Sequence, residues 1–528
     1  MNPTPLPPLT QLIAVPGTPT VPGKPILVEP SVKARIPVLR IHGTKDTTAK
    51  VLAALQKRAG RSGAVSSYAR ASERVMASVK YVIRTGIPSF DEATGGLPFS
   101  KVVEIYGLDN CGKTSLAMLA CGNAKQGEIY EVLSDGGHRK LTAPYEVTIL
   151  YHDNENSLEE GDRMIVYDHE VDCIAGECDT IDQMFKDVET TCETIAAIQK
   201  ADEIEARKDK NFIAPIQFVV VVTDTIAGTA TREEIKQDWS KQDYKRQPAQ
   251  LREGFRNTIR RLKEYNLCWI CTNQVGDSFK PKPRGMRTIV TLLPQESDFT
   301  AFGGKALRYY AHMRIFVCKV PNPYKLAPGQ FADGLVIHFF VAKNRMRMPL
   351  RSGRMVLLFK NALCQVPKEY HESIRPVRLQ EMVEFEHSKG NKKFTLEDAE
   401  KFVPQHPPGG FSPIYSMLEH LVYMRFVKVS ATKSYKINFA KYGVTQTIQP
   451  TDSQPDLQEL DAELDREEGD IEIPSRLAWP EFYRNHETEI NVLFAKCVQK
   501  MFAQNGVDIE AESEEMEVDA DLAGEGND

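Results

Sequence analysis

Nowhere in this 528-residue chain do about eighteen apolar residues follow one another, so no membrane-spanning helix is expected. The N-terminus sets no basic region before an apolar run, which argues against a secretory signal. Cysteine is sparse. Ten in the whole chain make no disulfide scaffold, and a reducing, cytoplasmic compartment is expected. Cys268 and Cys271 have C-x-x-C spacing, but they lie in an apolar run and read as strand residues. His169, Cys173 and Cys178 have no fourth ligand at a sensible spacing, so no metal is expected on them. Lysine and arginine are missing from 508–528, which carries ten Asp or Glu and reads as a solvated tail. With 41% apolar and 26% charged residues, the chain reads as a soluble globular protein of two to four domains. Its net charge of −6 is unevenly distributed.

What the chain does contain is centred on the stretch from Val102 to Leu116. Five β-prone residues lead into Gly107-Leu108-Asp109-Asn110-Cys111-Gly112-Lys113-Thr114-Ser115, and Leu116-Ala-Met-Leu-Ala follows. The pattern is G-x-x-x-x-G-K-T between a strand and a helix start, which is a phosphate-binding loop. Gly107 and Gly112 let backbone N–H groups close on phosphate oxygens. Lys113 supplies charge at the β- and γ-phosphates of ATP, the Thr114 hydroxyl is a Mg²⁺ ligand, and the helix adds its positive end.

Further apolar runs recur at α/β spacing. Val147–His152 ends at Asp153-Asn154-Glu155, Phe218–Thr223 ends at Asp224, and Leu267–Thr272 ends at Asn273-Gln274. Such runs suit a parallel sheet buried on both faces, and ligands of such sheets sit at the carboxyl ends of the strands. Glu155, Asp224 and Gln274 are therefore expected at one edge with the phosphate loop. Two loops follow these strands. Residues 228–250 contain Arg232, Lys236, Lys241, Lys245 and Arg246 with Trp239 and Tyr244; residues 275–302 contain Lys280, Lys282, Arg284 and Arg287 with Phe279, Phe299 and Phe302. Cations interleaved with aromatics suit single-stranded nucleic acid, although a merely solvated loop can have the same composition. Later, Leu335–Arg345 and Met355–Phe359 form a hairpin-like pair, and five basic residues with no acid fall within 343–354.

Outside this region, residues 1–45 form a Pro-rich arm expected to be disordered, and 46–78 a helical segment suited to oligomerisation. The core spans 79–365, a C-terminal domain spans 366–505, and the acidic tail spans 506–528. Within the C-terminal part, Ser412-Pro413 is a good cap for a helix over 413–424. A hairpin over 426–439 follows, then an acidic linker over 452–472 and helical patterning over 480–504. Helix plus hairpin reads either as a small winged DNA-binding unit or as a packing domain.

The stretch Thr85-Gly-Ile-Pro-Ser-Phe-Asp-Glu-Ala-Thr-Gly-Gly-Leu-Pro, followed by Lys101-Val-Val-Glu-Ile-Tyr-Gly-Leu-Asp-Asn-Cys-Gly-Lys-Thr, resembles the entry to the RecA recombinase core. Order and content of the later strands agree, so the resemblance covers about 80–362. It implies an α/β, RecA-like phosphate-loop NTPase with a mostly parallel central sheet. The implied activity is a DNA-dependent ATPase that forms a homo-oligomeric helical filament on single-stranded DNA and exchanges strands with double-stranded DNA. By the same resemblance, Glu155 activates the attacking water, Asp224 completes the Mg²⁺ shell with Thr114, and Gln274 senses the γ-phosphate. Lys343 and Arg345 would reach a neighbouring subunit's γ-phosphate. The two basic loops and Gly303-Gly304 would bind DNA. The sequence departs from the family at Cys111, usually Ser, which suggests thiol sensitivity, and at Arg345, where bacterial RecA has Lys. The adenine-stacking aromatic after Glu155 is absent, and Arg163 could take its place. These departures, with the Pro-rich arm and large C-terminal region, suggest a large-bacteriophage source. A hexameric helicase would need a linker helix and a primase-binding domain, neither of which is legible here; a non-catalytic accessory protein would not need Lys113, Thr114, Glu155 and Asp224 intact.

Overall fold

Apolar runs that alternate between two buried faces dictate a central sheet. In the computed structural model, Phe218, Val220 and Val222 of one strand face one hydrophobic cluster while Val219 and Val221 face another. Cys268 and Ile270 of the next strand part from Leu267, Trp269 and Cys271 in the same way. The structure describes residues 79–134, 136–155, 165–166, 169–170, 173–232, 234, 246–277, 299–326, 332–359, 375–388, 390–402, 410–430, 434–444 and 470–503. The Pro-rich arm, the helices expected within 46–78, Arg163, most of the acidic linker and the acidic tail lie outside them. Among the described residues no helix is long and apolar enough to cross a membrane.

The sheet is assembled from β3 (Lys101–Gly107), β6 (Tyr145–Asp153), β9 (Ile174–Gly176), β10 (Ile216–Asp224), β11 (Leu267–Asp277), β13 (Met313–Tyr324), β14 (Gly334–Asn344), β15 (Arg351–Leu358) and β16 (Gly410–Ser412). Their order across the sheet is β16-β15-β14-β13-β3-β11-β10-β6-β9, with β12 (Phe299–Ala301) paired to β11. From β13 to β9 every pairing is parallel; from β13 to β16 every pairing is antiparallel. A smaller antiparallel sheet of β1 (Tyr81–Ile83), β2 (Leu97–Pro98), β4 (Ile129–Val132) and β5 (His138–Lys140) is hydrogen-bonded separately and packs on the same core, and β7 (Ile165–Val166) pairs with β8 (His169–Glu170).

Between β1 and β2, Asp91 organises the Thr85–Pro98 turn. Its carboxylate accepts from the Thr85 amide at 2.8 Å, the Thr85 hydroxyl at 2.9 Å and the Gly86 amide at 2.9 Å. This explains a buried acid six residues after a Thr-Gly pair. It sits in helix α1 (Pro88–Thr94), which Gly95 ends in the left-handed conformation at φ 79°.

Helix α2 (Lys113–Lys125) lies on one face of the sheet through Leu116, Ala117, Leu119, Ala120, Cys121 and Ala124. The other face is covered by α3 (Ile181–Lys208), α4 (Arg246–Glu264) and α5 (Lys305–Tyr310). The Thr180 side chain caps α3 by accepting from the Gln183 amide.

Residues beyond 366 share the first of these cores. β16 extends the sheet beside β15, and helices α8 (Pro413–Tyr423), α9 (Trp479–Asn485) and α10 (Glu487–Ala503) bury Tyr415, Leu418, Trp479, Leu493 and Cys497 in the same cluster as Val103 and Leu116. Two further helices, α6 (Arg375–Ser388) and α7 (Leu396–Phe402), precede β16. The Ser412 cap is made, its hydroxyl accepting from the Tyr415 amide. The hairpin forms from β17 (Val427–Val429) and β18 (Tyr435–Ile437). The end of the expected linker is instead a third strand, β19 (Ile471–Ile473), because Ile471 and Ile473 alternate with Glu472 and bury one face. Tyr415 through Leu421 of α8 are all buried, so this helix has no long face free to enter a DNA groove.

Candidate functional site

Parallel register brings the strand ends level. Asp224 stands opposite Asp153, and Gln274 opposite Gly107. The loop after β3 then follows from two glycines. A Cβ on Gly107 would fall 1.9 Å from the Val317 carbonyl oxygen of β13. Gly112 has φ 73°, and a Cβ there would press on Ile337 at 2.8 Å. A side chain at Gly107 would have to move the β13 backbone, and one at Gly112 would be strained by the positive φ whatever space Ile337 gives up. Lys113, only 8% exposed, turns its ammonium into the loop and donates to the carbonyls of Leu108 at 2.8 Å and Gly107 at 3.2 Å. A buried ammonium held by carbonyls at the N-terminus of α2 is a receptor for phosphate charge.

Cys111 is fully buried and its Sγ faces the Asp109 carbonyl at 3.5 Å. Burial pushes its thiol up and disfavours the thiolate, so the geometry lends no support to the expected thiol sensitivity at this position.

Asp224 is the hub. Its Oδ2 accepts from the Thr114 hydroxyl at 2.7 Å and the Tyr151 hydroxyl at 2.8 Å, and its Oδ1 accepts from the Thr272 hydroxyl. Burial, and then the Asp224 charge, push the Tyr151 phenol well up, so it remains a donor. The Thr114 hydroxyl and Asp224 carboxylate are hard oxygen donors at the mouth of the phosphate loop, a set that fits Mg²⁺ and not a soft metal.

Glu155 lies at the exposed end of β6. Its Oε1 accepts from the Thr225 hydroxyl and from Gln274 Nε2, each at 2.8 Å. Three strands expected to deliver Glu155, Asp224 and Gln274 to one edge therefore do so, and two of the three side chains touch. The neighbouring Asn273 donates to Glu104 at 3.0 Å and to the Phe302 carbonyl at 2.9 Å. Glu104 also pairs with Arg314, both buried in the sheet. The Phe302 amide returns to the Gln274 carbonyl at 3.2 Å.

Lys343 and Arg345 are not part of this cluster. Lys343 stands opposite Arg314, which stands opposite Glu104. It is thus three residues, about 10 Å, back along the strand direction from Gly107, and two strands across. Its ammonium donates to the carbonyls of Arg308 at 2.7 Å and Tyr309 at 3.2 Å near the end of α5. Burial, followed by the charges of Arg345 and Arg314, lowers its pKa to about 8. The cation-rich stretch has a largely structural explanation. Arg347 pairs with Glu92, Arg351 donates to the Phe502 carbonyl, and Arg354 lies over the Tyr423 ring. Arg345 is exposed.

Comparison with known sequences finds RecA proteins. RecA from Thermus thermophilus is 26% identical over 284 residues, which are 53% of this chain and 68% of that protein. RecA from Acidothermus cellulolyticus is 26% identical over 283 residues, 53% of this chain and 66% of its own. RecA from Xanthomonas axonopodis pv. citri is 24% identical over 317 residues, 60% and 76% of the two chains. The chain is a divergent relative of RecA. No family model matches it.

In this RecA relative the residues expected to meet DNA are only partly described. Lys236, Lys241, Lys245, Lys280, Lys282, Arg284 and Arg287 lie outside the described residues, as do Trp239, Tyr244 and Phe279. Arg232 is half-exposed and pairs with Asp182 at 3.0 Å; Arg246 is exposed at the start of α4. Phe299 is half-buried and stacked on Phe316 with ring centroids 5.8 Å apart, whereas Phe302 is 47% exposed. Gly303 and Gly304 both have positive φ, and Cβ atoms on them would crowd Leu251 and Pro248 of α4. They turn the chain into α5 whatever else they do.

Tyr151, Thr225, Thr272, Glu104 and Arg314 were not singled out from the sequence. The last two carried a signal: each is a charge set inside an apolar run, Val102–Tyr106 and Met313–Cys318, and two such runs side by side imply a buried pair. The hydroxyl donors carried none, because Thr and Tyr are ordinary strand residues.

Proposed function

We propose that this RecA relative is a DNA-dependent ATPase that assembles as a filament on single-stranded DNA and promotes homologous pairing and strand exchange with duplex DNA. A cytoplasmic setting and a bacteriophage source belong to the same proposal. The observation that carries it is the Glu155–Gln274 hydrogen bond beside the Thr114–Asp224 contact. It joins the carboxylate that would orient the attacking water to the strand leading into the basic 278–298 segment. Nucleotide at the loop would compete for the Gln274 amide, so occupancy of one site would be felt by the other.

Each residue then has one task. Loop amides and Lys113 hold the phosphates of ATP; Thr114 and Asp224 hold Mg²⁺, which when bound neutralises charge on the transferring phosphate. Glu155 accepts a proton from water at its Oε1, and Thr225 keeps that oxygen aimed. Lys343 and Arg345, remote from their own chain's loop, would serve the loop of a neighbouring copy, where such cations are worth about 10³-fold or more in rate.

The test is Glu155→Gln in the full chain. It should bind ATP as the wild type does and hydrolyse it at least about 10²-fold more slowly. Electron microscopy with ATP and single-stranded DNA should show helical filaments. A wild-type hydrolysis rate in Glu155→Gln overturns the assignment of the base. Closed rings would favour a helicase, and unassembled chains an accessory role.

A further inference from the structure

Among the described residues outside the phosphate-loop site, one cluster combines an imidazole, a thiol and a carboxylate. His152 near the end of β6, Cys178 just before α3 and Asp187 on α3 bring one donor atom each to within 4.8 Å of one another. We propose that these three side chains bind a divalent transition-metal ion, zinc by ligand chemistry, which ties the start of α3 to the carboxyl end of β6.

Sequence spacing could not reveal this set. It considered Cys178 with His169 and Cys173, neighbours in the chain, whereas folding supplies His152 and Asp187 from the adjoining strand and helix. Cys178 Sγ lies 3.3 Å from Asp187 Oδ2, and His152 Nε2 lies 4.0 Å from the same oxygen. Edges of a tetrahedral zinc site are about 3.3–3.5 Å when bond lengths are ordinary. The first edge is therefore in place, and a small side-chain rotation closes the second.

His152 supplies the independent sign of a ligand. It is 2% exposed, yet its Nε2 has no hydrogen-bond partner among the described residues. That nitrogen is turned toward a thiol and a carboxylate. A buried imidazole nitrogen in that position is satisfied by a cation between the three groups. The other ring nitrogen, Nδ1, is 3.3 Å from the Thr223 hydroxyl. With a metal on Nε2, Nδ1 carries the proton and donates it to that oxygen, the arrangement that fixes a ligating histidine. Asp187 is 40% exposed, so water has access to the fourth corner.

Thiolate plus imidazole plus carboxylate selects zinc-like ions over Mg²⁺, which suits the all-oxygen pair Thr114 and Asp224. Binding releases the Cys178 thiol proton to solvent. The site also bears on the strand end beside it, because Asn154 accepts from the Cys178 amide at 3.0 Å and donates to Thr229 at 2.7 Å. Glu155 is the next residue.

The test uses the full chain, stripped with a chelator, kept reduced with a phosphine and titrated with Co²⁺. A one-to-one thiolate-to-cobalt charge-transfer absorption should rise and be displaced by Zn²⁺. Cys178→Ser should abolish the band; His152→Gln and Asp187→Asn should weaken Co²⁺ at least about 10-fold. Zn²⁺ should raise the melting temperature of the wild type but not of Asp187→Asn, which keeps the thiol and so carries the test if Cys178→Ser does not fold. Absence of the band, or a band indifferent to His152→Gln and Asp187→Asn, overturns the proposal. Co²⁺ at Thr114 and Asp224 cannot mimic the result, because a band arising there would be indifferent to Cys178→Ser.

Discussion

The two halves of the central sheet handle buried polarity in opposite ways. In the parallel half, both oxygens of buried Asp224 are taken by hydroxyls from three different elements. In the antiparallel half, buried His420 and half-buried His338 lie beside Arg354 and Tyr423, and both ring nitrogens of His420 lack hydrogen-bond partners among the described residues. Parallel strands end together at one edge, so polar side chains there can converge on a ligand. Antiparallel strands alternate their ends, and helices α8 to α10 close over them. The parallel half is organised around a site, and the antiparallel half around packing.

The largest separation of the two should come from Lys113→Ala. It removes the ammonium inside the loop and should cut ATP hydrolysis by about 10³-fold or more, while circular dichroism and melting temperature stay near wild type. An inactive protein that also melts early would blur the division. Trp479→Ala is the converse change. Trp479 is fully buried and donates to the Ile414 carbonyl at 2.9 Å. Its loss should cost about 3–5 kcal/mol in denaturant unfolding, with turnover per folded molecule within about twofold of wild type.

Acid should act through the antiparallel half. Burial, and then nearby positive charge, lower His338 and His420 to about 3. The unfolded chain therefore takes up protons below about pH 6.5 that the folded chain refuses, and stability falls as pH falls through that value. Each histidine contributes a loss of about 2 kcal/mol at pH 5, and His420→Leu should flatten unfolding curves between pH 6.5 and 5 by about that much. An unchanged pH slope would show that His420 is hydrated or protonated in the folded protein. The smallest effect should be at Cys111. Cys111→Ser should leave hydrolysis within about twofold, and thiol reagents should label Cys111 only on unfolding. Rapid loss of activity in wild type but not in Cys111→Ser would reverse that reading.

Much of the parallel half was legible because its signals are local. A phosphate loop needs glycines at fixed offsets, and a doubly buried strand needs an unbroken apolar run; Gly107, Gly112, Phe218–Thr223 and Leu267–Thr272 satisfy both conditions in the chain itself. The stretch from Lys343 to Arg354 was not legible in this way, because Arg347, Arg351 and Arg354 answer to Glu92, Phe502 and Tyr423, which are remote in sequence.

Local chemistry alone determined the phosphate loop, the strand that precedes it, the cap at Ser412, and the acids and amide that follow the apolar runs of β6, β10 and β11. Backbone conformation and side-chain period act over a few residues, so they can be read without knowing what lies opposite. Only tertiary structure decided that Tyr151 and Thr272 would hold Asp224, that β16 and the last helices would complete the core, that Lys343 would stand away from its own loop, and that His152 would meet Cys178 and Asp187. Each of these depends on strand order and register, which place residues tens to hundreds of positions apart within a few ångströms.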